Sequence, residues 1–132
     1  MDRRIWAIAL MALLLLAGTA VLAQDKPRGQ MLTQAELQKL TLHGVLITGV
    51  DVPTGDRFSS TFGYPNLAHN IILQGNGNAR ARSGTWKIAE GRFCVTYDSV
   101  ENCRVHYKLD DGSYEAWSGP EGMRLLIYRV SQ

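Results

Sequence analysis

The chain has 132 residues, with 14 lysines and arginines against 12 aspartates and glutamates, and a formal net charge of +2. That length allows one domain, and the near-neutral balance excludes the basic patch a nucleic-acid-binding protein needs to release phosphate counterions. About a hundred residues bury a single core with a thin margin, so a covalent staple would help.

Asp2-Arg3-Arg4 forms a short positive flank, Ile5 to Ala17 is almost wholly apolar, and Val21-Leu22-Ala23 puts small residues where a signal peptidase reads. The pattern predicts a signal peptide over 1–23, cleavage after Ala23, and a periplasmic or secreted mature chain from Gln24. Contact with a membrane is then expected only through the signal segment before cleavage. The alternative is an uncleaved anchor, since Ile5 to Ala23 is long enough to span a bilayer. No cysteine lies near the cut, so a lipid anchor is not indicated. Loss of Arg3, Arg4 and Asp2 leaves 12 basic and 11 acidic side chains.

Residues 24–31, with Lys26, Pro27, Arg28 and Gly29, read as a flexible lead-in to a single β domain over 32–132. In "MLTQAELQKLTLHG" Thr33 and Glu36 have capping-box spacing, Leu32 and Leu37 that of a hydrophobic staple, and Gly44 that of a C-terminal stop. One short helix over about 34–42 is predicted, with Leu37 and Leu40 placed to plug one face of the β domain.

After Gly44 the pattern becomes short apolar or alternating runs separated by turn residues. The runs are 45–50, 57–62, 70–74, 79–88, 92–97, 103–109, 113–118 and 123–130. Short connections leave no room for parallel crossovers. The expected fold is mainly β: a small antiparallel up-and-down barrel of about eight strands, lipocalin- or avidin-like, or a tight sandwich. Arg80 and Arg82 fall on one face of a strand and read as solvated.

With Glu90-Gly91 as a two-residue turn, "GTWKIAEGRFCVTY" places Gly84, Trp86, Ile88, Phe93, Val95 and Tyr97 on one core face. Gly84 would let backbone or an aromatic ring approach closely. A two-residue turn at Asp111-Gly112 places Val105, Tyr107, Leu109, Tyr114 and Ala116 inward, and Arg104, His106, Lys108, Glu115 and Trp117 outward. The structural core is therefore expected to include Trp86, Ile88, Phe93, Val95, Tyr107 and Tyr114. Cys94 and Cys103, an even pair in an exported chain, read as a disulfide. The two hairpins disagree about it: joining their apolar faces pairs Val95 with Val105, leaves 98–102 as a loop, and points the cysteines to opposite faces. A β-bulge or irregular segment between Tyr97 and Cys103 is expected to absorb the mismatch.

For chemistry, Asp56, Ser59, Ser60 and His69 supply hydrolase residue types, but there is no G-x-S-x-G elbow, no H-E-x-x-H and no phosphate-cradling glycine loop. No catalytic residue is assigned, and an exported hydrolase is kept only as a remainder. His43, His69 and His106 are scattered and form no metal-ligand cluster, and no cofactor is expected. Asp110-Asp111, followed by Gly112, read as turn residues. Candidate ligand-binding residues are Tyr64, Asn66 and His69, near a loop that would rim a barrel mouth, with Arg104, His106 and Trp117 as a possible anion-binding strip.

The stretches "GTWKIAEGRFCVTY", "ENCRVHY" and "DGSYEAW" resemble a family of small exported proteobacterial domains of unknown function. Gly84, Thr85, Trp86, Ile88, Gly91, Arg92, Cys94, Cys103, Gly112 and Tyr114 match its pattern, and the similarity covers about 32–117. The resemblance implies an exported β domain with a paired cysteine and brings no catalytic residues. The asparagine-rich run within 57–78 departs from the pattern. A looser, architectural likeness is to exported bacterial inhibitors of metalloproteases and lysozymes. The leading expectation is a non-enzymatic exported barrel that binds a small ligand or an envelope component. The alternative is an inhibitor of a protease- or lysozyme-type hydrolase, presenting 24–30 or 55–70 to an enzyme cleft.

Overall fold

Thr33 ends the N-terminal lead-in by capping a helix. Its Oγ1 accepts from the Glu36 N–H at 3.2 Å, while Glu36 Oε1 accepts from the Thr33 N–H at 3.2 Å, so two otherwise orphaned donors are satisfied reciprocally. In the computed structural model, which describes residues 26–131, this helix, α1, spans Gln34–Thr41. Leu32 and Leu37 beside the cap are buried. The expected signal segment 1–23 lies outside the described residues. Among those described, no helix is long and apolar enough to cross a membrane.

Two residues of the expected flexible lead-in are in fact a strand: β1 (Gln30–Met31) pairs with Lys108 and Tyr107. Eight strands come after α1: β2 (Val45–Asp51), β3 (Arg57–Gly63), β4 (Leu67–Leu73), β5 (Ala79–Ala89), β6 (Arg92–Tyr97), β7 (Val100–Lys108), β8 (Tyr114–Trp117) and β9 (Arg124–Ser131). Each pairs antiparallel with the next, and β9 returns to β2. The meander therefore closes into an eight-stranded barrel, which removes the exposed edges an open sheet would present.

Alternation sorts the side chains. Val45, Ile47, Phe58, Phe62, Ala68, Phe93, Ala116 and Tyr128 form the buried core of the barrel, with Trp86, Ile88, Val95 and Tyr114 packed against it. Phe62, Trp86 and Phe93 make a tight aromatic group: Trp86 stacks on Phe93 at 5.5 Å and Phe62 meets Phe93 edge-on at 4.8 Å. At Gly84 a Cβ would run into the Thr96 carbonyl oxygen and lie 2.9 Å from the Tyr97 ring, so the strand can coil this tightly only without a side chain. The helix plugs the end of the barrel that holds the β5–β6 turn, where the Gln34 side-chain oxygen accepts from the Gly91 N–H at 2.7 Å.

The β5–β6 hairpin has the register expected from Glu90-Gly91, with Trp86 opposite Val95 and Ile88 opposite Phe93. Positive φ at both turn residues, 54° and 72°, is the backbone of a type I′ turn. The expected face of β7, however, is reversed. Leu109 donates to the Ser113 carbonyl at 2.9 Å and Gly112 to the Leu109 carbonyl at 3.1 Å, which makes the β7–β8 turn three residues long, Asp110 to Gly112. A one-residue change in pairing sends a strand's side chains to the opposite face. Lys108 now lies opposite Tyr114 and His106 opposite Ala116, so Arg104 and His106 point into the barrel. Val105, Tyr107 and Trp117 form a separate buried cluster on its outside.

That reversal also removes the expected bulge. Asp98-Ser99, with φ of 50° and 64°, is a second two-residue turn in place of the loop expected over 98–102. The ladder runs regularly from Tyr97–Val100 to Phe93–Arg104, with Cys94 directly opposite Cys103. The two cysteines are bridged. The core face and the disulfide conflict only when β7 is assigned the wrong face.

Candidate functional site

Once β7 turns Arg104 and His106 inward, the lumen is no longer a uniformly apolar core. A cavity of about 120 Å³ runs from the helix side chains Leu37, Leu40 and Thr41 to a polar end lined by Asp51, Arg82, Asn102 and Arg104. Asn102 is itself exposed, so the polar end opens to solvent. It lies opposite the helix, where the β2–β3, β4–β5, β6–β7 and β8–β9 connections frame the mouth. Phe58, Phe62, Phe93, Val95 and Leu126 supply the apolar wall.

The polar groups fall into two sets. At the mouth, Arg82 Nη2 donates to Asn70 Oδ1 at 3.1 Å and Asn70 Nδ2 donates to Ser60 Oγ at 2.7 Å, while the guanidinium of Arg82 lies 4.5 Å from the centre of the Tyr97 ring. Arg104 is the second cation. Its Nε is buried without a hydrogen-bond partner, and among the described residues no carboxylate reaches ion-pair distance of either arginine. Burial pushes the Arg104 guanidinium below its ordinary pKa; Asp51 opposes the shift and Arg82 reinforces it. Among the described residues Asp51 is the sole carboxylate lining the cavity, so two cations face one anion.

Deeper in, His106 Nδ1 lies 2.6 Å from the Tyr128 hydroxyl. Burial, reinforced by Arg104, pushes the histidine pKa down to about 3, and burial raises that of Tyr128. Both are therefore neutral at physiological pH. If the tyrosine donates to Nδ1, one polar atom of the pair is left unpaired, Nε2–H; the reverse assignment would strand both the tyrosine proton and the Nε2 lone pair. Since buried unpaired groups are costly, Tyr128 is the donor. His106 Nε2, buried and without a partner, then carries the ring proton.

The six candidate ligand residues do not form one site. Arg104 and His106 line the cavity, although a two-residue β7–β8 turn would have placed them outside. Trp117 is buried on the other side of the sheet, edge-on to Tyr107 at 6.4 Å. Tyr64 and Asn66 lie in the exposed β3–β4 connection at the helix end, and His69 sits on the outer face of β4, its Nδ1 3.0 Å from Ser83 Oγ. Tyr64 and His69 line a shallow surface depression with Leu46 and Leu67. Of the expected core residues, Tyr107 belongs to the outer cluster and not to the lumen. The segment 55–70, suggested as an inhibitor loop, is mostly the β3–β4 hairpin.

Missed in the sequence were Asp51, Asn70, Asn102 and above all Arg82. A signal for Arg82 was available: it lies two residues before Gly84 on the same alternating face as Trp86 and Ile88. Arg80, one step further out, is exposed.

Fold and site together define a class: a closed up-and-down barrel with a plugged floor, a polar mouth and an unfilled lumen. No protein-family model, curated protein or solved structure matches the chain.

Proposed function

We propose that this protein is a non-enzymatic, exported binding module that takes a small molecule into its barrel lumen through the polar end. The observation that carries the reading is the cavity itself, an unfilled space with an apolar wall and a few convergent polar groups, the usual make-up of a small-molecule site. Its size supports a compact ligand, since a cavity of roughly 150 Å³ admits a single benzene ring. Export is supported by the signal-like composition of 1–23 and by the Cys94–Cys103 bridge, because such bridges persist in oxidising compartments.

Native mass spectrometry after incubation with a periplasmic small-molecule extract tests the binding reading. A low-mass adduct should appear on the wild type and be lost in Val95→Phe, whose ring would occupy the lumen. Bare protein throughout, or an adduct untouched by Val95→Phe, sinks it. Sequencing the N-terminus of periplasmic protein from a bacterial expression host tests export, with Gln24 expected first.

A further inference from the structure

Resting on the lumen as the binding site, we infer that its ligand is a compact organic monocarboxylate, with the carboxylate at Arg104 and Arg82 and the apolar body directed toward Phe93. Three independent features of the lumen meet in that chemistry.

The first is charge. Arg82 and Arg104 face Asp51 alone, leaving one net positive charge in a confined mouth. An uncompensated, partly buried cation is costly, and a ligand carrying one negative charge removes that cost. A second negative charge would exceed what the mouth balances.

The second is hydrogen bonding. Arg82 already spends donors on Asn70 and its face on Tyr97. The Arg104 side chain makes no hydrogen bond within the described residues, so its terminal guanidinium N–H groups are available to the two oxygens of a carboxylate. His106 projects from the same face of β7 two residues deeper, about 6.6 Å along the strand.

The third is the floor. Beyond His106 the walls are Phe93, Phe62, the helix leucines and Thr41, whose hydroxyl proton is already given to the Leu37 carbonyl at 2.9 Å. The apolar end therefore selects against acetate, phosphate and sulfate, which would fill the mouth and leave the floor empty.

Titration calorimetry of the purified protein with hexanoate, hexanamide, hexylammonium, acetate and inorganic phosphate separates these terms. Hexanoate should bind at least tenfold more tightly than hexanamide, with acetate and phosphate weaker still and hexylammonium not binding. Arg104→Gln should bring the hexanoate preference to near parity. Arg129→Gln, which removes the same charge from the outer face of β9, should keep it. Arg82→Gln provides a second lumen variant should Arg104→Gln fail to fold, and is expected to weaken the preference in the same direction. Equal binding of hexanoate and hexanamide overturns the carboxylate inference while leaving the lumen a binding site. Tightest binding of phosphate overturns it in favour of a bare oxyanion. No binding by any probe overturns it, and the lumen reading stands or falls separately on the extract experiment.

Discussion

His106 joins two neutral buried groups into one wall of the cavity, and that neutrality makes it a measurable source of acid sensitivity. Arg104 on its own strand and Tyr128 on β9 are the ionisable groups against it. Its folded pKa, about 3, lies below the ordinary histidine value near 6.5. Below that ordinary value the unfolded chain binds a proton that the folded chain refuses. The contribution is thus fully present above about pH 6.5 and lost as pH falls toward 3, at about 1.4 kcal/mol per pH unit. Urea unfolding at pH 7 and pH 5 checks this. The wild type should lose about 2 kcal/mol more than His106→Gln over that interval, and parallel losses would show that His106 is not held neutral by burial.

At the scale of elements, turn length decides which strand faces meet, and through them what the lumen contains. Glu90-Gly91 is a two-residue turn, and its hairpin was legible in full because Trp86, Ile88, Phe93 and Val95 pair across it without conflict. "DDGS" reads equally well as a two-residue or a three-residue turn. The longer form prevails, with Asp111 Oδ1 accepting from both the Ser113 N–H and its hydroxyl, and every side chain of β7 changes face. The apolar residues of β7, Val105 and Tyr107, misled because apolar character does not distinguish an outer cluster from a lumen. The capping box at Thr33 and the eight strands were readable because each depends on local spacing alone. The cavity depends on how eight faces combine, and no local pattern reports that.

The cross-strand bridge belongs to this scale too. Cys94 and Cys103 are nine residues apart and close the β6–β7 hairpin over the Asp98-Ser99 turn. Replacing both by alanine should lower stability by about 2.5 to 3 kcal/mol, the chain-entropy cost of freeing a loop of this length. Backbone pairing from Phe93 to Tyr97 does not involve the sulfurs, so the cavity should persist. Urea midpoints of the double variant, with hexanoate binding as the second readout, distinguish a staple from a structural requirement of the site.

For the whole molecule, the helix, the meander and the reversed β7 act together: the first closes one end, the second leaves no edge, and the third puts charge inside. Leu67, Ile71 and Leu73 on the outer face of β4 are exposed and compete, as apolar surface, for any amphipathic ligand. Methyl-resolved NMR titration with hexanoate separates the two locations most directly. Binding in the lumen predicts saturable shifts at Ile47, Val95 and Leu126, with Leu67, Ile71 and Leu73 unmoved. Shifts confined to the three β4 residues would contradict the lumen as the place where hexanoate binds, and linear, unsaturated shifts throughout would contradict the carboxylate inference.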